Sequence, residues 1–166
     1  MRLLRGGAAG LQVRAQDHRE RGGGFGFIVA DGTRARFLEG AQAAYRMVLE
    51  AFWRGDREEL THLASADVVA AFDSAIRERE AAGHRLDNRL VAIERAIIDD
   101  ARLNGRVAEI DVRFDAFVAA VTRNAEDELV AGSMSDAVPT HDIWTFQRQL
   151  GSSNPNWQLV ETDEAA

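Results

Sequence analysis

The chain has 166 residues, enough for one domain with its own core, and its 46% hydrophobic and 28% charged residues are those of an ordinary soluble globular protein. It has no Cys and no Lys, all 20 basic residues being Arg, which excludes disulfides, thiol nucleophiles, Schiff-base chemistry and a phosphate-loop lysine. The net charge of −7 is uneven: residues 1–36 carry +4 and the remainder −11, and an acidic body of this kind argues against nucleic acid as a partner.

Residues 1–32 hold eight of the 14 Gly and no sustained periodicity, which reads as a flexible Gly/Arg-rich arm. Arg2, Arg5, Arg14, Arg19 and Arg21 are its candidates for contact with an anionic membrane surface, at about 1 kcal/mol per basic residue near such a surface. Gly22-Gly23-Gly24-Phe25-Gly26 is preceded by His18-Arg19-Glu20-Arg21 rather than by a buried strand, so it is not read as a phosphate loop. The apolar run Phe25-Gly26-Phe27-Ile28-Val29-Ala30 is far shorter than the ~18 residues needed to span a bilayer. Met1 to Gln16 has no apolar core of a secretory signal.

A domain is expected over residues 33–163. Thr33 is the expected N-cap of a first helix whose stripe is Phe37, Ala41, Ala44, Tyr45, Val48 and Phe52, closed by Gly55. Asp56 caps a short second helix with Glu59 at its N3 position and Leu60 and Leu63 inward. Ser65 opens a third, with Val68, Val69, Phe72, Ala75 and Ile76 on one face. Arg77-Glu78-Arg79-Glu80 is expected to be its solvated end, and Gly83 stops it.

Leu86 to Leu103 fits either a helical period or a bent strand with a bulge near Glu94-Arg95. Asn104-Gly105, a strong hairpin turn, decides for strand over Leu90 to Leu103, because the alternating Ile110, Val112 and Phe114 that follow need a partner. Phe117 breaks that alternation, which implies a bulge or a strand covered on both faces. Asn124 to Glu128 is a polar turn and Met134 to Thr140 a loop. His141-Asp142-Ile143-Trp144-Thr145-Phe146 is an aromatic strand, Gly151 to Pro155 a turn, and Trp157 to Val160 a closing strand. Glu161 to Ala166 is a frayed acidic tail, with 164–166 beyond the domain's end. Three helices followed by an antiparallel meander of about four strands make an α+β fold, with helices on one face of a curved sheet.

Few constellations carry chemistry. None of the four His has metal-ligand spacing with another. His141 and Asp142 are strand neighbours and point to opposite faces, so they form no dyad. Arg113 faces away from Ile110, Val112 and Phe114 and is a candidate structural partner of Asp142 or Glu94. Tyr45, Phe52, Phe72, Ile76, Phe114, Trp144, Phe146 and Trp157 are the candidates to line a pocket beneath the helices, or to fill a core.

Several of these stretches together resemble a known family. Phe37-Leu38-Glu39-Gly40-Ala41, Ala51-Phe52, Gly55-Asp56, Ala75 to Glu80, Leu90 to Ile93, Val112-Arg113-Phe114, Asp142 to Phe146 and Asn154-Pro155-Asn156-Trp157 are similar to the TimA family domain. That domain is like the C-terminal domain of the 44-kilodalton subunit of the mitochondrial inner-membrane translocase. The resemblance covers about Phe37 to Thr162.

It implies a nuclear-transport-factor-2-like or cystatin-like fold with a large apolar pocket and no catalytic residues, cofactor or metal. It implies an adaptor for protein partners, chaperone or membrane-protein complex, peripheral at the cytoplasmic face of a bacterial inner membrane or cytoplasmic, with affinity for anionic lipid or an acyl chain. Bacterial members generally carry an N-terminal membrane-spanning helix, from which this sequence departs. Two alternatives share the fold: an enzyme of the ketosteroid-isomerase type using Asp99, Asp142 or Tyr45, and a carrier of hydrophobic ligands. Nothing in the sequence fixes the oligomeric state.

Overall fold

The computed structural model describes residues 31–165, with side chains from Arg34 onward. Helix α1 spans Asp31–Arg54, α2 Arg57–Leu63 and α3 Ala66–Ala81; strands β1 to β5 span Arg85–Leu86, Arg89–Asn104, Val107–Arg123, Leu129–Gln149 and Gln158–Glu164. The three helices precede an antiparallel sheet, so the expected α+β architecture holds, with four long strands and one two-residue strand.

The caps explain the helical breaks. Helix α1 already runs at Asp31, so Thr33 is inside it rather than its cap. Gly55 (φ 75°) takes the left-handed conformation that ends α1. The Asp56 side chain then accepts from the Glu59 amide at 3.1 Å and starts α2. Ser65 opens α3 without a side-chain cap bond, its own amide donating to the Leu159 carbonyl at 2.8 Å. That bond accompanies a parallel bridge of Ala64 with Leu159, which ties the α2–α3 link to β5.

The end of α3 is not the solvated segment expected from its charges. Arg79 is buried, and its Nη2 donates to the Phe52 and Trp53 carbonyls at 2.6 and 3.0 Å. Those carbonyls belong to the last turn of α1, where orphan acceptors and the helix dipole favour a cation. The guanidinium also lies 5.0 Å from the Phe52 ring centroid. Arg77 and Glu80 do remain exposed.

Strand β3 is central, paired with β2 and β1 on one side and β4 on the other. Its outward residues are buried or half-buried as well as its inward ones, and Phe117, where the alternation is lost, is half-buried on the outer side. The β2–β3 hairpin forms one residue later than Asn-Gly suggests. Asn104 pairs with Val107, so the turn residues are Gly105 and Arg106, and only Gly105 has positive φ (61°), as in a type II′ turn. The bulge expected near Glu94-Arg95 lies between Ile93 and Arg95.

Strand β4 is longer than its composition suggests. Met134 to Thr140, read as a loop, belongs to the strand; Ala137 to Thr140 pair with Ala119 to Ala116 on β3. Pro139 is tolerated because β5 pairs only with Asp142 to Gln147, leaving this part of β4 on a free edge. Gly132 (φ 86°) is packed so closely that a Cβ there would come 1.9 Å from the Ala120 carbonyl oxygen. Strand β5 runs through Glu164, so the acidic residues Glu161 to Glu164 are paired rather than frayed, while Trp157 precedes the strand.

Candidate functional site

The inner face of β4 carries Asp142, Trp144 and Phe146, and α1 lies over them. Toward the C-terminal half of α1, Tyr45, Phe114 and Trp144 form a sealed aromatic cluster. Tyr45 stacks on Phe114 at 4.3 Å and tilts against Trp144 at 4.6 Å between centroids. The Tyr45 hydroxyl donates to Asp142 Oδ2 at 2.8 Å, and Asp142 is 1% exposed. Burial pushes the Asp142 carboxyl up to about 6, against the opposing pull of the Tyr45 hydrogen bond. Burial likewise pushes the Tyr45 phenol far above its ordinary range, and the Asp142 charge adds to this.

Toward the N-terminal half of α1 the same helix and strand part. Phe37 meets Phe146 edge-on at 6.2 Å and Trp157 at 5.0 Å, and beside them a groove of about 620 Å³ opens. Its α1 wall is Phe37, Gly40, Ala41, Ala44 and Met47; its opposite wall is Ile110, Phe146, Leu150, Pro155 and Trp157. Small residues at Gly40, Ala41 and Ala44 hold the helix wall back; a Cβ at Gly40 would meet nothing within 4 Å. Arg36, His62 and Arg148 also line it. Arg148 Nε is buried and has no hydrogen-bond partner among the described residues. An apolar trough with two arginines in its lining is suited to a molecule with a hydrocarbon body and an anionic end.

A second trough of about 800 Å³ lies between α2 and α3, lined by Arg57, Asp73, Arg77, Glu80, Val69 and Ala70. Its charges already satisfy one another: Arg57 binds Asp73 and Glu80, and Arg77 binds Asp73 at 3.0 Å. This leaves less for a ligand than the first groove offers.

The outer face of the sheet is a polar ladder. Arg102 clamps Asp111 through both terminal nitrogens at 2.9 and 2.8 Å, and Thr145 donates to Asp111 at 2.7 Å. Asp115 gathers His141 at 2.5 Å, Arg95 at 2.9 Å and Arg113 at 3.3 Å. Burial pulls Asp115 upward, but the His141 hydrogen bond and the Arg113 and Arg95 guanidiniums outweigh it and hold the carboxyl below its usual range.

The expected Arg113–Asp142 pair does not form. Arg113 is registered with Ile143 and faces outward, whereas Asp142 is registered with Phe114 and faces the core. His141 and Asp142 point to opposite faces, as strand geometry demands. Of the eight aromatic and aliphatic pocket candidates, Phe146 and Trp157 line the groove. Tyr45, Phe52, Phe72, Ile76, Phe114 and Trp144 are at most 1% exposed and line neither of the two troughs. Asp99, Asp142 and Tyr45, the acid–base candidates, are also absent from both linings, and Asp99 is exposed on β2.

Sequence reasoning missed Phe37, Gly40, Met47 and Arg148 as groove residues. A glycine inside an otherwise regular apolar stripe was the one signal available. Arg2, Arg5, Arg14, Arg19 and Arg21 lie outside the described residues. Among the described residues, no helix is long and apolar enough to cross a membrane, which says nothing of a β-barrel, and no group of three or more His, Asp or Glu could hold a metal ion.

No curated protein matches the chain. Among solved structures, the intermembrane space region of the chloroplast protein ARC6 is similar in fold, with a TM-score of 0.55 and 16% identity over 80% of this chain and 96% of that one. The family profile described as Tim44-like domain matches residues 32–164, nearly all of the described structure and including both the sealed cluster and the groove, and the chain therefore belongs to the Tim44-like family.

Proposed function

We propose that this domain is a non-enzymatic adaptor that works at a membrane surface, engages protein partners there, and takes an acyl chain with an anionic end into the α1 groove. The observation that carries the reading is the groove itself. It pairs the aromatic rings of Phe37, Phe146 and Trp157 with the guanidiniums of Arg36 and Arg148 in one lining. A hydrocarbon chain buries apolar surface at roughly 25 cal/mol per Å² in such a trough, and a phosphate or carboxylate end meets the arginines. Membership of the Tim44-like family supports the adaptor reading. Asp99, Asp142 and Tyr45, the acid–base candidates for an isomerase, are absent from the groove lining, whose imidazole is His62.

Flotation of the full chain with cardiolipin-containing liposomes at low salt tests the lipid part. Co-flotation that weakens in Arg148→Glu supports it, and failure to float contradicts it. Crosslinking in a membrane fraction tests the adaptor part, which falls if no chaperone or membrane-protein component is recovered.

A further inference from the structure

Three neighbouring strands bring three basic side chains to one carboxylate on the outer face of the sheet, the face turned away from the groove. Asp115 of β3 is registered with Arg95 on β2 and with His141 on β4, and Arg113 is two residues back along β3 on the same face. Asp115 is 8% exposed, whereas the side chains of Arg95 and His141 are half exposed.

The contacts leave most of the donors over. Arg95 and Arg113 meet Asp115 through Nε, at 2.9 and 3.3 Å, so their terminal nitrogens are outside the contact. Arg102 differs, since it engages Asp111 with both terminal nitrogens. Two guanidiniums against one carboxylate also leave an excess positive charge, before the imidazole is counted. Arg113 lies between Ile97 on β2 and Ile143 on β4, whose apolar surface strengthens its attraction for an anion. Asp111 is already clamped by Arg102, and Asp163 stands opposite Ile143 on β5, a strand further out.

His141 adds a condition on protons. Asp115 is held ionised, so Nδ1, the ring nitrogen that faces it, carries a hydrogen. Nε2 then has a lone pair when the ring is neutral and a hydrogen when it is charged. A phosphate group suits both states, because its second ionisation lies at about pH 6. Its hydroxyl donates to the neutral ring, or the charged ring donates to the dianion. Sulfate brings no such hydrogen and bonds only to the charged ring.

We propose that Arg95, Arg113 and His141 form a binding site for the phosphate group of a small soluble molecule, such as a phosphate monoester, on the outer face of the sheet. The terminal nitrogens of the two arginines donate to the phosphate oxygens, and Nε2 of His141 shares a proton with one of them. Register puts Glu161 and Asp163 on the same face, opposite Thr145 and Ile143. A flat anionic bilayer would meet these carboxylates together with the arginines, whereas a single phosphate group meets only the cluster. The site goes beyond the adaptor reading and does not depend on the α1 groove.

The test follows the Arg113 and His141 amides of the full chain in nitrogen-15 spectra, near neutral pH, as inorganic phosphate or sulfate is added at equal ionic strength. Phosphate is expected to produce shifts that saturate in the millimolar range, as befits half-exposed charges, and to bind more tightly than sulfate. Arg95→Gln, a change at an exposed side chain, should weaken phosphate about tenfold. His141→Gln should abolish the preference for phosphate over sulfate. Equal binding of the two anions by the wild type, shifts confined to residues 1–32, or unchanged affinity in Arg95→Gln would each overturn the proposal. Phosphatidic acid vesicles separate the sources: binding that Arg95→Gln leaves unchanged agrees with a soluble ligand, and binding that it abolishes places the phosphate on a lipid and overturns the soluble assignment.

Discussion

One helix and one strand build two different places in this molecule. Where Tyr45 crosses Trp144, α1 and β4 close on each other, the ring centroids of Tyr45, Phe114 and Trp144 lie 4.3 to 5.9 Å apart, and a carboxylate is sealed beneath them. About two turns earlier on α1, where Phe37 crosses Phe146, Gly40, Ala41 and Ala44 replace bulk with space and the pairing opens into a groove. Both places are aromatic and both face inward. What separates them is side-chain size on α1 and the departure of Trp157 from the paired part of β5. Aromatic content alone therefore does not tell a core from a site; the small residues between the aromatics do.

The largest effects should come from the sealed end. Trp144→Ala empties a fully buried position and is expected to cost about 3–5 kcal/mol, whereas Trp157→Ala at the half-buried groove should cost about 1 kcal/mol. Urea unfolding of the two variants measures the contrast, and equal losses would erase it.

Titration of Asp142 should come next. Its native pKa of about 6 exceeds the unfolded value of about 3.9, so the native state holds the extra proton between them. Stability from this group is therefore greatest below about pH 4, falls as pH rises to about 6, and is flat beyond, by an amount on the order of 3 kcal/mol. Asp115, held low, contributes with the opposite slope, its stability being lost as pH falls, so the single variant isolates the effect. The stability gap between Asp142→Asn and the wild type should shift toward the variant between pH 4 and 6. A gap independent of pH would contradict the buried carboxyl.

Tyr45→Phe removes the donor to Asp142 Oδ2 and should cost about 1–3 kcal/mol near neutral pH, the penalty for an unsatisfied buried acceptor. The smallest effect belongs to the open end and has the opposite sign. Gly40→Ala should stabilise the domain by about 0.5–1 kcal/mol, since its Cβ meets nothing. A thermal scan that finds Gly40→Ala destabilised would mean that the space beside Gly40 is already filled by structure.

Much of the fold could be read from periodicity and punctuation. The α1 stripe, the Asp56 cap, the stop at Gly83 and the hairpin before Ile110 all rest on local rules, and all appear. The misreadings share a cause. Arg79 and Glu161 look solvated by type and Pro139 looks like a loop residue, yet each takes its place from a distant element: the carbonyl end of α1, the β4 strand that pairs with β5, and β3, on which Phe117 pairs with Pro139. The site was less legible. Phe146 and Trp157 stood out as aromatics, but so did Phe114 and Trp144, which are core. Only packing distinguishes them, and packing depends on Gly40 and Ala44 across the groove. Arg113 was paired with the wrong acid because facing is fixed by cross-strand register, which sets Arg113 opposite Ile143 and Asp142 opposite Phe114 and which composition does not reveal.

The three indole N–H groups give the most direct test of the distinction between sealed core and open groove. Trp53 and Trp144 are buried, and Trp157 lines the groove. Nitrogen-15 spectra of the full chain titrated with dodecyl phosphate, kept below its micelle concentration, should show the Trp157 indole and the Gly40 amide moving together and saturating, while the Trp144 indole stays in place. Movement of the Trp144 indole with Trp157 unmoved would contradict the account.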